Sequence, residues 1–187
     1  MAKTLTYGMV GGGPDAFIGD AHRRAIGLDG TAVIAAGVFS RNREKSLQTA
    51  EELGISTDRC YEDYRAMARA EGERADGIDF VVVVTPNQSH YEICRAFLEA
   101  GIHVVCDKPV TTTYRQAKEL EALAEDKGLL FMVTYTYMGY VTAKYARELV
   151  ASGAIGEVRT GMAEYPQGWH AFGDDFGGQQ GEWHCDP

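Results

Sequence analysis

Residues 78–85 most strongly limit how this chain of 187 residues can fold. Their centre, F-V-V-V-V, is apolar at every position and rich in β-branched residues. A strand that is apolar on both faces needs cover on both faces, and such strands occur almost only in parallel sheets flanked by helices. The segment therefore predicts a buried strand of a parallel sheet.

The rest of the chain supports this prediction, because short apolar runs alternate with amphipathic helical patterns. The other predicted strands are 5–10, 32–39, 103–106 and 129–134. The predicted helices are 19–28, 43–53, 62–71, 88–100, 114–126 and 141–151. Four of the helical patterns end at a glycine suited to a C-terminal cap, namely Gly54, Gly101, Gly128 and Gly153. This alternation predicts an α/β fold, a Rossmann-type doubly wound parallel sheet.

The pattern changes after residue 134, which suggests a domain boundary. We predict a dinucleotide-binding domain over residues 1–134 and the incomplete start of a second α/β domain over 135–187. Within the second part, residues 157–165 are predicted to form a strand. A segment rich in glycine and aromatic residues follows and suggests an active-site loop or the opening of the second domain.

The composition argues against several classes of partner and of cellular location. A net charge of −9 argues against nucleic-acid binding, because a polyanion would be repelled. No run of about 18 apolar residues predicts a membrane span, and the polar N-terminus does not resemble a signal peptide. The four cysteines, Cys60, Cys94, Cys106 and Cys185, show no metal-binding C-x-x-C spacing. We therefore expect reduced thiols, no metal and a cytoplasmic protein.

The run G-G-G-P-D-A-F-I-G-D-A-H follows the first strand and opens the first helix, where a glycine motif can bind phosphate. One register is Gly11-x-Gly13-x-x-Ala16. The preferred register takes Gly19 as the third glycine, which places Ser40 near the expected ribose site about 20 residues on. The remaining alternative is a simple glycine-rich turn.

The extra residues in this loop break the usual spacing of the motif. We expect Phe17 and Ile18 to flank the cofactor. Asp15 is expected to stay away from the pyrophosphate, because like charges repel.

The end of the second strand bears on cofactor choice. NAD-binding proteins commonly have an acidic residue there, whereas this chain has Ser40 and Arg41. An arginine could pair with a 2′-phosphate, so the segment slightly favours NADP over NAD. Alternatively, Ser40 is a helix cap and Arg41 a solvated residue of the first turn.

Two further turns follow predicted strands, at the sheet edge where ligands of such folds gather. The first, T-P-N-Q-S-H, offers Thr85, Pro86, Asn87 and His90 to a ribose or nicotinamide, although a turn of this kind taken alone is more often a helix cap than a site.

We expect the second turn, C-D-K-P, to contribute Asp107 and Lys108 to cofactor binding. We expect Pro109 to fix the direction of Lys108 and Asp107 to orient its amine. Taken alone, this lysine would be better explained as a solvent-exposed turn residue.

Together, and in this order, the three motifs resemble those of the Gfo/Idh/MocA oxidoreductase family, named for glucose–fructose oxidoreductase and inositol dehydrogenase. D-K-P stands where many members have E-K-P. The resemblance implies transfer of a hydride between NAD or NADP and a sugar, inositol or related polyol. It also implies that Lys108, beside the nicotinamide, is catalytic, and that the full-length protein is a homo-oligomer.

The same resemblance implies a second domain that supplies an acid/base histidine, and residues 135–187 are too few for it. A dinucleotide-binding module without catalysis, such as a redox-sensing regulator, therefore remains the alternative. The short-chain reductase pattern Y-x-x-x-K at Tyr140 and Lys144 comes too late in the order of elements for that fold.

Overall fold

The computed structural model describes residues 3–14 and 16–166. Its strands are β1 (Leu5–Gly11), β2 (Ala32–Val38), β3 (Phe80–Val84), β4 (His103–Cys106) and β5 (Phe131–Val133). Its α-helices are α1 (Phe17–Gly27), α2 (Arg43–Glu52), α3 (Tyr64–Glu73), α4 (His90–Glu99), α5 (Tyr114–Asp126) and α6 (Val141–Ala151). Short 3-10 turns are formed by Thr57–Arg59, Asn87–Ser89 and Thr136–Gly139.

The five strands form one parallel sheet in the order β2-β1-β3-β4-β5. The chain moves from β1 outward to β2 on one side, then crosses to β3 on the other side of β1. This reversal makes the gap between β1 and β3 the topological switch point, where ligands of open α/β sheets bind. The predicted Rossmann-type sheet is confirmed.

Strand β3 is buried on both faces, as its composition predicts. Val81 and Val83 pack into a cluster with side chains of α3, α4 and α5. Val82 and Val84 pack on the opposite face, in a cluster that includes side chains of β1 and α2. A run of five apolar residues is therefore explained by two layers of helices, not by a single core face.

All six predicted helices and the five predicted strands of the sheet are present, with ends that differ by about two residues. The four cap glycines have φ between +63° and +81°, the left-handed conformation that a helix C-terminus favours. Thr113 accepts a hydrogen bond from the Gln116 amide at 3.3 Å and caps α5. The local signals of helix ends were thus sufficient to locate them.

The predicted strand over residues 157–165 is wrong, since residues 152–166 contain no strand. A strand exists only when another strand completes its hydrogen bonds, and no described segment pairs with this one. Alternating polarity alone could not supply that partner.

The chain divides into two compact units, Met1–Tyr137 and Met138–Pro187. The boundary at 134/135 and the nature of the second part stay predictions. Asp15 and the glycine- and aromatic-rich residues 167–187, with Cys185, lie outside the described residues.

The described cysteines, Cys60, Cys94 and Cys106, are buried and not in disulfides. Across residues 3–14 and 16–166, no cluster of His, Cys, Asp or Glu side chains could hold a metal ion. Every helix in that part of the chain is too short or too polar to cross a membrane.

A buried ion pair ties the entrance of β3 to α3. The Glu71 side chain is fully buried and accepts hydrogen bonds from Arg59, from the Tyr61 hydroxyl at 2.7 Å and from the Ile78 amide at 3.2 Å. Burial and the bond to Glu71 raise the pKa of Tyr61 to about 12, so the hydroxyl remains a donor. All of these donors converge on one carboxylate, which makes Glu71 the centre of the network.

Candidate dinucleotide site

The glycine loop at the end of β1 is packed too closely for side chains. A Cβ on Gly11 would lie 2.8 Å from the Val84 carbonyl oxygen, and Gly11 has φ of +92°. A Cβ on Gly13 would lie 2.8 Å from the Phe39 carbonyl oxygen. These glycines therefore let the loop pass between the ends of β2 and β3, as a backbone cradle for phosphate requires.

The closest backbone approach in the loop involves Gly12, which is not among the predicted site residues. A Cβ on Gly19 would lie 2.4 Å from the Gly12 Cα, and Gly12 itself has φ of +75°. Gly12 and Gly19 thus bring the loop and α1 into direct backbone contact. Because three glycines stand in a row, only the backbone geometry distinguishes the role of Gly12.

Arg23 supports this contact from the next turn of α1. Its Nη1 donates to the Gly12 carbonyl oxygen at 2.9 Å. Arg23 stands four residues after Gly19 and therefore on the same side of the helix, the spacing by which it could have been found. Its guanidinium fixes the carbonyl side of the loop and adds a positive charge next to it.

The N-terminus of α1 is available to an anion. Its first residue, Phe17, is preceded by Ala16, whose side chain cannot cap the helix. The first amides of a helix lack partners within the helix, and the helix dipole favours negative charge there. Phe17 is 78% exposed and Ile18 is half-buried, so Phe17 presents the larger apolar surface beside the loop.

At the end of β2, one charged side chain has no partner among the described residues. The Ser40 hydroxyl accepts the Asn42 amide at 3.1 Å, and Asn42, not Ser40, caps α2 through the Lys45 amide. Arg41 is exposed and makes no side-chain hydrogen bond or ion pair within the described part of the chain. The alternative of Ser40 as the helix cap is therefore wrong, and Arg41 precedes the helix.

The turn after β3 presents one amide side chain. The Ser89 hydroxyl donates to the Pro86 carbonyl oxygen at 2.7 Å and lies within hydrogen-bond distance of the Thr85 hydroxyl, at 2.8 Å, so the turn closes on itself. Asn87 is half-buried, and its side chain makes no hydrogen bond to any described residue. Thr85 and Pro86 therefore shape the turn, whereas Asn87 keeps donors and acceptors for a ligand.

The structure assigns His90 a different place from the one predicted. The residue is only 1% exposed. Its Nδ1 lies 2.7 Å from the Pro109 carbonyl oxygen and its Nε2 lies 2.8 Å from the Thr85 carbonyl oxygen. Both ring nitrogens are used within the protein, so His90 cannot donate directly to a cofactor. The reason is positional, because α4 begins at this residue and buries its side chain beneath the turn.

The loop after β4 carries a carboxylate that has interaction partners next to an amine that has none among the described residues. Asp107 accepts from the Thr134 hydroxyl at 2.9 Å and faces the His22 ring at 3.9 Å. Lys108 is exposed, and its amine has no partner among the described residues. Contrary to the expectation, Asp107 does not orient the Lys108 amine; its carboxylate contacts Thr134 and His22 instead.

Asp107 is ionised despite its partial burial. Burial by itself raises the pKa of this carboxyl, but the His22 ring, the Lys108 amide and the Thr134 hydroxyl outweigh it and keep the pKa below its usual range. The predicted site residues include neither His22, although it is the last residue of the glycine-rich run, nor Thr134, which belongs to no motif.

These elements meet at one edge of the sheet, because β1, β2, β3 and β4 are parallel and all end there. In the β1–β3 register Gly11 lies opposite Val84, so the glycine loop and the Thr85–Asn87 turn are neighbours at the switch point. The Asp107 amide donates to the Val83 carbonyl oxygen at 2.9 Å, which places the Lys108 loop beside the same strand end.

Comparison with known proteins gives the same picture. An uncharacterized oxidoreductase, YfiI, of Bacillus subtilis is 38% identical over 100% of this chain and 48% of its own length. A levoglucosan dehydrogenase of Pseudarthrobacter phenanthrenivorans is 29% identical over 90% of this chain and 43% of its own.

A solved structure of an inositol dehydrogenase homologue from Azotobacter vinelandii, complexed with NAD⁺, superimposes with a TM-score of 0.93. The two sequences are 36% identical, and the match covers 100% of this chain and 48% of the homologue. The same homologue complexed with NADH and myo-inositol gives a TM-score of 0.90 at 36% identity, over 98% of this chain and 47% of that one.

The chain thus spans about half the length of these relatives. Residues 5–135 match the family described as an oxidoreductase family with an NAD-binding Rossmann fold, Gfo/Idh/MocA. The match covers most of the chain and includes all three motifs at the carboxyl edge of the sheet. The chain therefore belongs to the Gfo/Idh/MocA oxidoreductase family.

Proposed function

We propose that this chain is the cofactor-binding part of a dehydrogenase that oxidises or reduces a sugar, inositol or related polyol. The observation that carries the proposal is the meeting of three features at one sheet edge. They are the glycine loop, the N-terminus of α1 without a side-chain cap, and the unpartnered amine of Lys108.

The residues fit a dinucleotide. A Cβ at Gly11, Gly12 or Gly13 would lie within 2.8 Å of another part of the protein, so the loop exposes backbone instead of side chains. The loop and the first amides of α1 would hold the pyrophosphate, and Asn87 would hold the ribose or nicotinamide. Phe17 and Ile18 would flank the cofactor.

The chemistry assigned to this chain is proton handling by Lys108. When bound, the nicotinamide supplies the hydride donor or acceptor. The Lys108 Nζ would hold the substrate hydroxyl by a hydrogen bond and relay its proton. The Asp107 carboxylate, held by Thr134, would keep the loop of Lys108 in register with the sheet edge.

Two observations support the substrate class. The Azotobacter vinelandii homologue was solved with myo-inositol, and the Pseudarthrobacter relative is a levoglucosan dehydrogenase. Both ligands carry several hydroxyl groups, which an amine such as that of Lys108 can polarise. From the same family resemblance and the reduced thiols, we infer a cytoplasmic homo-oligomer.

Replacing Lys108 by Met tests the catalytic assignment. We expect Lys108→Met to lower turnover of inositols or aldoses by about a hundredfold or more, because general acid–base help typically contributes that much. NADH binding should change less than about threefold, since the phosphate cradle is untouched. Turnover is followed by nicotinamide absorbance in the protein that carries this chain, and binding by NADH fluorescence.

Lys118→Met is the matched control, because Lys118 is exposed on α5 and paired with Glu121. It should leave both measurements unchanged. Undiminished turnover in Lys108→Met would remove Lys108 from the mechanism. If the wild-type protein binds NADH but turns over no polyol, the chain is instead a binding module of the redox-sensing kind.

We further propose that the site accepts NADP and slightly prefers it to NAD. Arg41 is exposed without a partner in the described part of the chain, and no acid occupies the end of β2 to repel a 2′-phosphate. We expect Arg41→Ala to weaken NADPH binding about five- to tenfold and to leave NADH binding unchanged.

Fluorescence titration of both reduced cofactors measures the ratio. Arg115→Ala, which removes an exposed arginine of α5, serves as the control for net charge. Equal weakening of NADH and NADPH by Arg41→Ala would show that Arg41 does not read the 2′-phosphate.

A further inference from the structure

His90 joins two loops that carry the functional side chains. The ring lies between the Thr85 carbonyl at the end of β3 and the Pro109 carbonyl that follows Lys108, with distances of 2.8 and 2.7 Å. Thr85 opens the turn that presents Asn87, and Pro109 directly follows the amine-bearing residue. One buried side chain therefore joins the turn after β3, at the switch point, to the loop after β4 beside it.

The chemistry of its two partners defines the state of the ring. A carbonyl oxygen only accepts hydrogen bonds, so a neutral imidazole could satisfy one of them and would point a lone pair at the other. Both distances are those of hydrogen bonds, and the one protonation state that satisfies both carbonyls is the imidazolium, in which both ring nitrogens donate. In that state each bond has a charged donor, which makes it stronger than a bond from a neutral donor.

The surroundings favour this charged form. Burial by itself lowers the pKa of His90, whereas the hydrogen bonds to the Pro109 and Thr85 carbonyl oxygens stabilise the protonated ring and favour a raised pKa. The nearby Cys94 hydrogen-bonds to Cys106, and this bond, together with burial, raises the pKa of the Cys106 thiol, which therefore stays neutral. His90 should thus remain protonated at neutral pH.

We infer that His90 is a positioning residue: by donating to the Thr85 and Pro109 carbonyls at once, it fixes the Lys108 loop against the turn that presents Asn87. The inference rests on the proposed function in one respect, namely that Lys108 works beside a bound nicotinamide. It assigns the histidine of T-P-N-Q-S-H to the mechanism without any contact to cofactor or substrate.

Two substitutions separate the two hydrogen bonds. The amide nitrogen of asparagine corresponds in reach to Nδ1, so His90→Asn can keep the bond to Pro109 and loses the bond to Thr85. The amide nitrogen of glutamine corresponds to Nε2, so His90→Gln can keep the bond to Thr85 and loses the bond to Pro109. If the Pro109 bond fixes Lys108, the glutamine variant is the more harmful of the two.

His103→Asn is a matched control. His103 is half-buried, and its ring, like that of His90, bonds to backbone, since its Nδ1 accepts from the Leu130 amide at 3.0 Å. It stands at the first residue of β4, the end opposite to the functional edge. His103→Asn removes a similar side chain and a similar bond, and it leaves the Lys108 loop unchanged.

The first experiment needs no cofactor. We expect amide hydrogen exchange at Lys108 to accelerate about tenfold in His90→Gln, relative to the core amide of Val82 in the same protein. The acceleration should be smaller in His90→Asn and absent in His103→Asn. A histidine that merely stabilises the fold would accelerate both amides together, and equal exchange ratios in all variants would overturn the inference.

¹⁵N spectra of the wild-type ring should show two protonated nitrogens at pH 7, and a single neutral tautomer would contradict the double donation.

The second experiment connects the loop to the cofactor. Acylation of Lys108 is measured by mass spectrometry with and without NAD⁺, which should slow it in the wild type. We expect this protection to fall about fivefold or more in His90→Gln and to persist in His103→Asn. Protection equal to wild type in a folded His90→Gln would overturn the inference. If NAD⁺ fails to protect Lys108 even in the wild type, the proposed function fails, whereas the exchange measurement still decides the role of His90.

Discussion

Gly19→Ala should weaken NADH binding by about ten- to a hundredfold and lower the thermal unfolding midpoint. The added Cβ would lie 2.4 Å from the Gly12 Cα and 3.1 Å from the Gly12 oxygen, both backbone atoms that cannot turn aside. Overpacking of this kind costs about 1–3 kcal/mol. The displaced segment is the phosphate cradle itself, so affinity should suffer together with stability. NADH fluorescence titration and calorimetry measure the two effects.

Gly27→Ala is the control, because it makes the same change in the same helix. Gly27 is the last residue of α1, and a Cβ there would meet nothing within 4 Å. Alanine is favoured over glycine in a helix, so this variant should be neutral or slightly more stable, with unchanged NADH binding. If Gly19→Ala behaved like Gly27→Ala, the close contact of loop and helix would not exist in solution.

Glu71→Ala should lower the free energy of unfolding by about 3–5 kcal/mol, the range found when one partner of a buried ion pair is removed. The substitution leaves the guanidinium of Arg59, the Tyr61 hydroxyl and the Ile78 amide without their shared acceptor. Urea denaturation followed by circular dichroism measures the loss. Glu71→Gln keeps an acceptor without the charge and should give an intermediate value, which also covers the case in which the alanine variant does not fold.

The same replacement at an exposed position separates burial from charge. Glu121 pairs with Lys118 on the solvent side of α5, and Glu121→Ala should leave the unfolding midpoint unchanged. Equal losses at the two positions would mean that helix propensity, not the buried network, determines the stability lost in Glu71→Ala.

The fold could be predicted in detail because its signals are local. Helical periodicity, the apolar run of β3 and the glycines after the helices each act within a few residues. The segment at 157–165 had a strand-like pattern as well. Its failure to form a strand shows that pairing, which depends on a distant partner, is not contained in the pattern.

The site was predictable in its motifs but not in the direction of its side chains. The glycine loop, Asn87 and Lys108 lie at the sheet edge where parallel strands end. His90 belongs to the same motif as Asn87, yet it opens α4 and turns inward to bond two carbonyls. Arg23 belongs to no motif, and only the folded helix brings it to the Gly12 carbonyl.

The pairing of β1 with β3 has a consequence for synthesis of the protein. Gly11 at the end of β1 lies opposite Val84, so a chain growing from its N-terminus makes the glycine loop long before the strand that supports it. Contacts between residues so distant in sequence form slowly, because the intervening chain must first be ordered. On the ribosome, nucleotide capture must therefore wait for β3, and a bound cofactor would select chains whose sheet is already closed across the switch point.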